Sequence, residues 1–149
     1  MTDILTLEEL VLELRERYPN ITYIEDLEFK WDPKYSKIYY CAKDYTAIYS
    51  LLHETGHAVS GHKIFNSDVE LLRMEIEAWD AAKHIAKGYS IKIPQEHVQK
   101  CLETYRNWLH DRSVCKNCDQ ATLQRDKFEF VCHNCSYVWN VSASQTDHH

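Results

Sequence analysis

Glycine and proline are scarce, three of each in 149 residues, and with 44% hydrophobic residues this argues against a disordered chain and for one compact domain plus a small appendage. No stretch approaches the roughly 18 consecutive apolar residues of a membrane span. The start, Met1-Thr2-Asp3-Ile4-Leu5-Thr6-Leu7-Glu8-Glu9, has no basic segment leading into an apolar one, so no secretory signal is expected there. A soluble, cytoplasmic protein with no membrane partner is the expectation. A basic surplus is missing as well: the formal charge of -6 removes the positive face that general affinity for nucleic acid requires. There is no internal repeat, and residues 142–149 read as a flexible polar tail. Cysteine is what the chain does have. Cys41 and Cys101 stand alone, while the other four of the six form two C-x-x-C pairs, which in a reducing compartment points to metal ligation rather than disulfides.

Along the chain, Thr6 and Glu9 have capping-box spacing, with Leu5 and Leu10 at the hydrophobic-staple positions. Leu7, Leu10, Val11 and Leu14 then repeat at helical spacing, and the helix should stop at Tyr18-Pro19-Asn20. Short β-branched and aromatic runs follow at 21–24, 27–31 and 37–40, with Asp32-Pro33-Lys34 as a turn, and read as a small, largely antiparallel sheet. A second helix is expected after Asp44 as N-cap, with Ile48, Leu52, Thr55 and Val59 facing the core and Gly61 as its stop. Ser67 and Glu70 form a second capping box, opening a third helix through Val69, Leu72, Ile76, Trp79 and Ala86 to Gly88. Pro94 then starts a fourth, with Val98, Cys101, Leu102, Tyr105, Trp108 and Leu109 on one face. The predicted class is α+β: a small antiparallel sheet packed with three to four helices, plus a C-terminal zinc ribbon. The domain boundaries are 1–112 for the helix and sheet part, 113–141 for the ribbon and 142–149 for the tail.

The chemistry centres on Leu51-Leu52-His53-Glu54-Thr55-Gly56-His57, an H-E-x-x-H sequence inside an apolar helical pattern. Residues four apart on a helix lie about 40° apart around the axis, so His53 and His57 project to one side and can share a Zn²⁺. Glu54, turned about 100° from His53, is placed to act as general base on a metal-activated water. Tetrahedral zinc needs a further ligand. Glu77, twenty residues beyond His57, is the choice, because Ala78, Ala81 and Ala82 would let the third helix approach closely; Glu75 is the rival. His62 does not fit the longer H-E-x-x-H-x-x-G-x-x-H pattern, since Ser60 and Lys63 stand where Gly and His would be, and is read as a surface or cleft-rim residue. Asp80 or backbone carbonyls are expected to orient the two imidazoles. Tyr49, His84 and Tyr89 are unranked candidates for an oxyanion donor.

L-L-H-E-T-G-H followed by an E-x-E-A-x-x-A-A helix resembles the ImmA/IrrE-like metallopeptidase family, gluzincin-type proteins found in phage, mobile elements and bacterial regulators, over roughly residues 20 to 90. The resemblance implies zinc held by His53, His57 and Glu77, Glu54 as base, and in some members cleavage of a repressor. This chain has no recognisable helix-turn-helix and ends instead in a cysteine cluster.

In that cluster, Cys115-x-x-Cys118 and Cys132-x-x-Cys135 lie thirteen residues apart with hairpin-forming residues between them, the spacing of a four-thiolate structural zinc site. Asp119 and Ser136 stand where glycines usually follow the knuckles, so distortion of the second knuckle is expected. From Arg112 onward four basic residues balance four acidic ones, so protein recognition or stabilisation is favoured over nucleic acid, for which stacking on Tyr137 or Trp139 is the remaining route. The expected cofactors are thus two Zn²⁺, one catalytic and one structural. The leading function is a zinc-dependent endopeptidase acting on a protein or peptide substrate. The alternatives are a non-catalytic interaction or regulatory protein on a metallopeptidase scaffold, and a protease of DNA-bound proteins similar to the SprT-like family, which also joins H-E-x-x-H to a zinc ribbon. Substrate and oligomeric state are left open by the sequence.

Overall fold

A computed structural model describes residues 5–42 and 45–141; the expected Asp44 cap and the tail at 142–149 lie outside them. The chain divides into two units, one running to Lys63 and including Met74–Pro94, the other Ile64–Arg73 with Gln95 onward. This division does not follow a boundary at 112, because the fourth helix belongs with the ribbon.

In the first unit, α1 (Leu7–Arg17) opens with the expected capping box: the Thr6 hydroxyl accepts from the Glu9 amide at 3.1 Å, and Glu9 Oε1 accepts from the Thr6 amide at 3.3 Å. Leu10, Val11 and Leu14 are its buried stripe, and the helix stops at Tyr18, before Pro19. The sheet is formed by β1 (Thr22–Glu25), β2 (Lys30–Asp32) and β3 (Lys37–Tyr40) in the order β1-β3-β2. β2 and β3 are antiparallel, joined by a turn in which Asp32 Oδ1 accepts from the Lys34 amide at 3.0 Å. β1 lies parallel to β3, so the sheet is mixed and not antiparallel as expected. The hairpin causes this: it sends the chain out along β2 and back along β3, which enters the sheet between β2 and β1 in the same direction as β1.

Helix α2 (Ala47–Val59) packs on β2, β3 and α1 through Leu51, Leu52 and Thr55, all with no exposed surface. The Tyr23 hydroxyl lies 3.1 Å from Thr55 Oγ1, tying sheet to helix. Val59, expected on this face, is exposed, whereas His57 is buried, so the core-facing side is wider than the sequence suggested. Gly61 follows as the stop, with φ +71°. Helix α3 (Asp68–Lys87) begins in the second unit and continues through the first. Its buried residues are Leu71, Met74, Glu75, Ala78, Trp79, Ala82, Ile85 and Ala86; the expected Val69 and Ile76 are exposed. The chain leaves α3 without a left-handed glycine: Ser90 (φ 58°), not Gly88, takes that conformation, and the Ile91 amide returns to the Ala86 carbonyl.

In the second unit, the Ser67 hydroxyl accepts from the Glu70 amide as expected, but the Glu70 carboxylate reaches back to the Asn66 amide, completing the cap one residue early. Gln124 Oε1 also accepts from the Asp68 amide at 2.9 Å, and Arg112 pairs with the Asp68 carboxylate at 3.1 Å. Helix α4 (Gln95–Ser113) buries Val98, Leu102, Tyr105 and Leu109. Its end is gripped by the ribbon: Trp139 donates its indole N–H to the Arg112 carbonyl at 2.9 Å, and the Thr122 amide donates to the Ser113 carbonyl. These bonds place α4 with the ribbon. Strands β4 (Gln124–Asp126), β5 (Glu129–Val131) and β6 (Val138–Asn140) form an antiparallel sheet in that order, over which Phe130 and Trp139 stack. Among the described residues no helix is long and apolar enough to cross a membrane.

Candidate metal centre

His53 and His57 emerge one turn apart on α2, with ring centroids 4.7 Å from each other. Facing them from α3 is Glu75, fully buried. Its Oε2 lies 2.8 Å from His53 Nε2 and its Oε1 3.2 Å from His57 Nε2. All three groups can offer one ligand atom within 4.8 Å of the others, a set that can hold a metal ion. Glu75 Oε1 is buried yet makes no hydrogen bond, an arrangement costly for a carboxylate oxygen unless a cation joins it. The donor set fits a small divalent ion: two imidazoles and one carboxylate leave a tetrahedral position free.

Glu75 therefore stands where Glu77 was expected. The small residues do permit a close helix approach, but Ala78 and Ala82 lie three and seven residues after Glu75, on its own face of α3. Glu77 is rotated about 200° from Glu75, and its side chain is 51% exposed. The steps of four, three and four residues from Leu71 through Glu75 and Ala78 to Ala82 are the sequence signal that identifies the inward acid.

The electrostatics follow from this burial. Glu75 is pushed up by desolvation, but the charge of His53, its hydrogen bond at 2.8 Å and the close approach of His57 outweigh it and hold the carboxyl well below its usual range. Burial lowers His57, and its close contact and charge interaction with Glu75, with a contribution from Glu54, more than reverse this. Glu54 is raised by desolvation in spite of both imidazoles; its side chain is 14% exposed, with Oε1 3.7 Å from His53 Nδ1. Trp79 lies flat on the His53 ring, centroids 4.3 Å apart and planes within 11°. Helical spacing alone assigns that tryptophan only a packing role.

His62 is not the rim residue expected. It is 8% exposed, and its Nδ1 lies 3.0 Å from His57 Nδ1. Its Nε2 reaches Glu77 Oε2 at 3.4 Å, and Trp31 donates to its carbonyl at 2.8 Å. Burial, then the neighbouring His57, lower its pKa. The partner of His57 is thus another imidazole, while Asp80 is exposed on α3. Of the oxyanion candidates, His84 is exposed, Tyr89 lies beside the Arg17 guanidinium, and Tyr49 is half-buried one turn before His53 on the same side of α2.

The four cysteines form a second set. Cys115 and Cys135 sulfurs are 3.6 Å apart and Cys118 and Cys132 sulfurs 3.4 Å, with all four within 4.8 Å. Around a Zn–S distance of about 2.3 Å a tetrahedron requires sulfurs about 3.8 Å apart, so the thiols are already close to ligand positions. The knuckles match. The Asp119 amide donates to the Cys115 carbonyl and the Ser136 amide to that of Cys132, with φ of 63° and 65° at Asp119 and Ser136. The expected distortion of the second knuckle is not seen, because Ser136 accepts the left-handed conformation. Amides of Cys135 and Asn134 bring Cys132 down to about 6, whereas desolvation leaves Cys115 pushed up to about 11. No protein-family model, curated protein or solved structure matches this chain.

Proposed function

We propose that the chain is a zinc-dependent endopeptidase that hydrolyses a peptide bond in a specific protein partner. The observation carrying this reading is the convergence of His53, His57 and Glu75 with Glu54 beside them on α2. Bound there, Zn²⁺ supplies Lewis-acid polarisation of a carbonyl and lowers the pKa of a water to roughly 7. His53 and His57 act as neutral Nε2 donors, and Glu75 supplies the negative charge that offsets the ion. Glu54 accepts the proton of the attacking water and returns it to the leaving amine. Tyr49 is the favoured donor to the developing oxyanion on helical phase alone. The metal centre resembles that of the ImmA/IrrE-like peptidases, with Glu75 in place of Glu77.

The ribbon is proposed to hold a structural Zn²⁺ and to recognise protein. Leu123 is 89% exposed there, and Tyr137 and Val138 are also exposed. That surface also favours the second reading, a non-catalytic regulator that binds its partner through the ribbon. Glu54→Gln separates the two. With a proteome-derived peptide mixture and mass-spectrometric detection of new termini, the parent should cut and Glu54→Gln should retain its metal without cutting. Equal cutting by both proteins would overturn the assignment of Glu54.

A further inference from the structure

We infer that His62 and Glu77 are positioning residues that fix the ring of His57 for metal ligation, delivered by the turn that ends α2. The inference rests on the metal-binding reading of His53, His57 and Glu75. The α2 terminus is a complete Schellman motif: the Gly61 amide donates to the Ala58 carbonyl at 3.1 Å and the His62 amide to the His57 carbonyl at 3.1 Å, with Gly61 left-handed. In this motif the residue after the glycine and the one five positions earlier commonly make an apolar contact. Here those positions are His62 and His57. Their rings meet edge to face with centroids 5.2 Å apart, and their Nδ1 atoms are at hydrogen-bond distance.

The hydrogen-bond sense is set by ligation. His57 presents Nε2 to the ligand set, so its proton resides on Nδ1 and points at His62 Nδ1, the acceptor. His62 then carries its proton on Nε2, facing the Glu77 carboxylate. The order carboxylate, imidazole, ligand imidazole is the familiar carboxylate–histidine arrangement lengthened by one ring. Two further bonds hold His62 itself, its own amide to His57 and the Trp31 indole to its carbonyl. Glu77, which supplies no ligand, acquires a role through this chain.

The test uses the full-length protein prepared with one equivalent of Zn²⁺, which the four thiolates take first, followed by titration with Co²⁺. A His/His/carboxylate site gives visible d–d bands without thiolate charge transfer. His62→Leu should weaken Co²⁺ binding by about 10- to 100-fold and shift the d–d bands. His62→Asn, which keeps an acceptor near the Nδ1 position, should restore most of the affinity. Glu77→Gln should lose about tenfold, the low end of the range for outer partners. Parent-like affinity and spectrum in His62→Leu would overturn the inference while leaving the metal site intact, as would His62→Asn binding no better than His62→Leu at equal thermal stability. Should His62→Leu not fold, Glu77→Gln decides: undiminished affinity overturns the inference. A parent that takes up no Co²⁺ beyond its Zn²⁺ overturns the site reading, and this inference with it.

Discussion

Gly56 abuts the backbone of Ala78: a Cβ built on Gly56 would lie 2.1 Å from the Ala78 carbonyl oxygen. The helix carrying both histidines and the helix carrying Glu75 therefore touch backbone to backbone, at Gly56 between His53 and His57 on α2 and at Ala78, one turn after Glu75, on α3. Gly56→Ala must push α2 and α3 apart, because the obstacle is main chain and cannot rotate away. The expected cost is about 1–3 kcal/mol, the range for overpacking, measured by urea unfolding. Metal binding at the His53–His57–Glu75 set should weaken as well. A variant with parental stability and affinity would show that the close approach is not needed.

Protonation should act in opposite senses on the fold and on the metal. His57 is raised above 6.5 in the folded chain, so its contribution to stability is present below 6.5 and lost as pH rises through its folded value. Glu54, raised above 4.5, has the same sign, whereas Glu75 is depressed, so its contribution is present above 4.5 and lost as pH falls. With metal at the cysteines only, urea midpoints should therefore fall as pH rises from 6.5 to 8, above the range in which the lowered His62 acts in the opposite sense. Metal affinity of the histidine site should rise over the same interval, since ligation needs neutral imidazole. A midpoint that rises with pH would contradict the ion-pair description of His57 and Glu75.

The knuckles predict a stabilising change. Ser136 takes φ 65° with a Cβ that makes this conformation unfavourable by about 1–2 kcal/mol, partly offset in a glycine variant by chain entropy. Ser136→Gly should raise ribbon stability by up to about 1 kcal/mol, and Asp119→Gly by less, because aspartate tolerates the left-handed region better. Thermal melts of the metal-loaded protein would register the difference. A loss of stability in Ser136→Gly would mean that its side chain contributes more than its backbone strain costs.

Local signals carried far in this chain. The Thr6–Glu9 box, the stop at Tyr18, the glycine after α2 and both cysteine pairs are short-range patterns whose physics is complete within a few residues. What escaped depended on partners distant in sequence. The parallel pairing of β1 with β3 is decided by where the hairpin inserts, and Glu75 was distinguishable from Glu77 only by assigning the buried face of α3 correctly. Exposed Val69 and Ile76 pulled that face off phase. His62 is hidden in the sequence for another reason: Gly61 marks the stop, but only the Schellman form of that stop brings the next residue back beside His57.

The most direct measurement of the central claim is the metal content of the purified protein by mass spectrometry under native conditions. The parent should carry two ions per chain. His53→Ala and Glu75→Gln should each carry one, and Glu77→Gln should still carry two at saturating metal. One ion in the parent, or two in Glu75→Gln, would contradict the assignment of His53, His57 and Glu75 as a metal site.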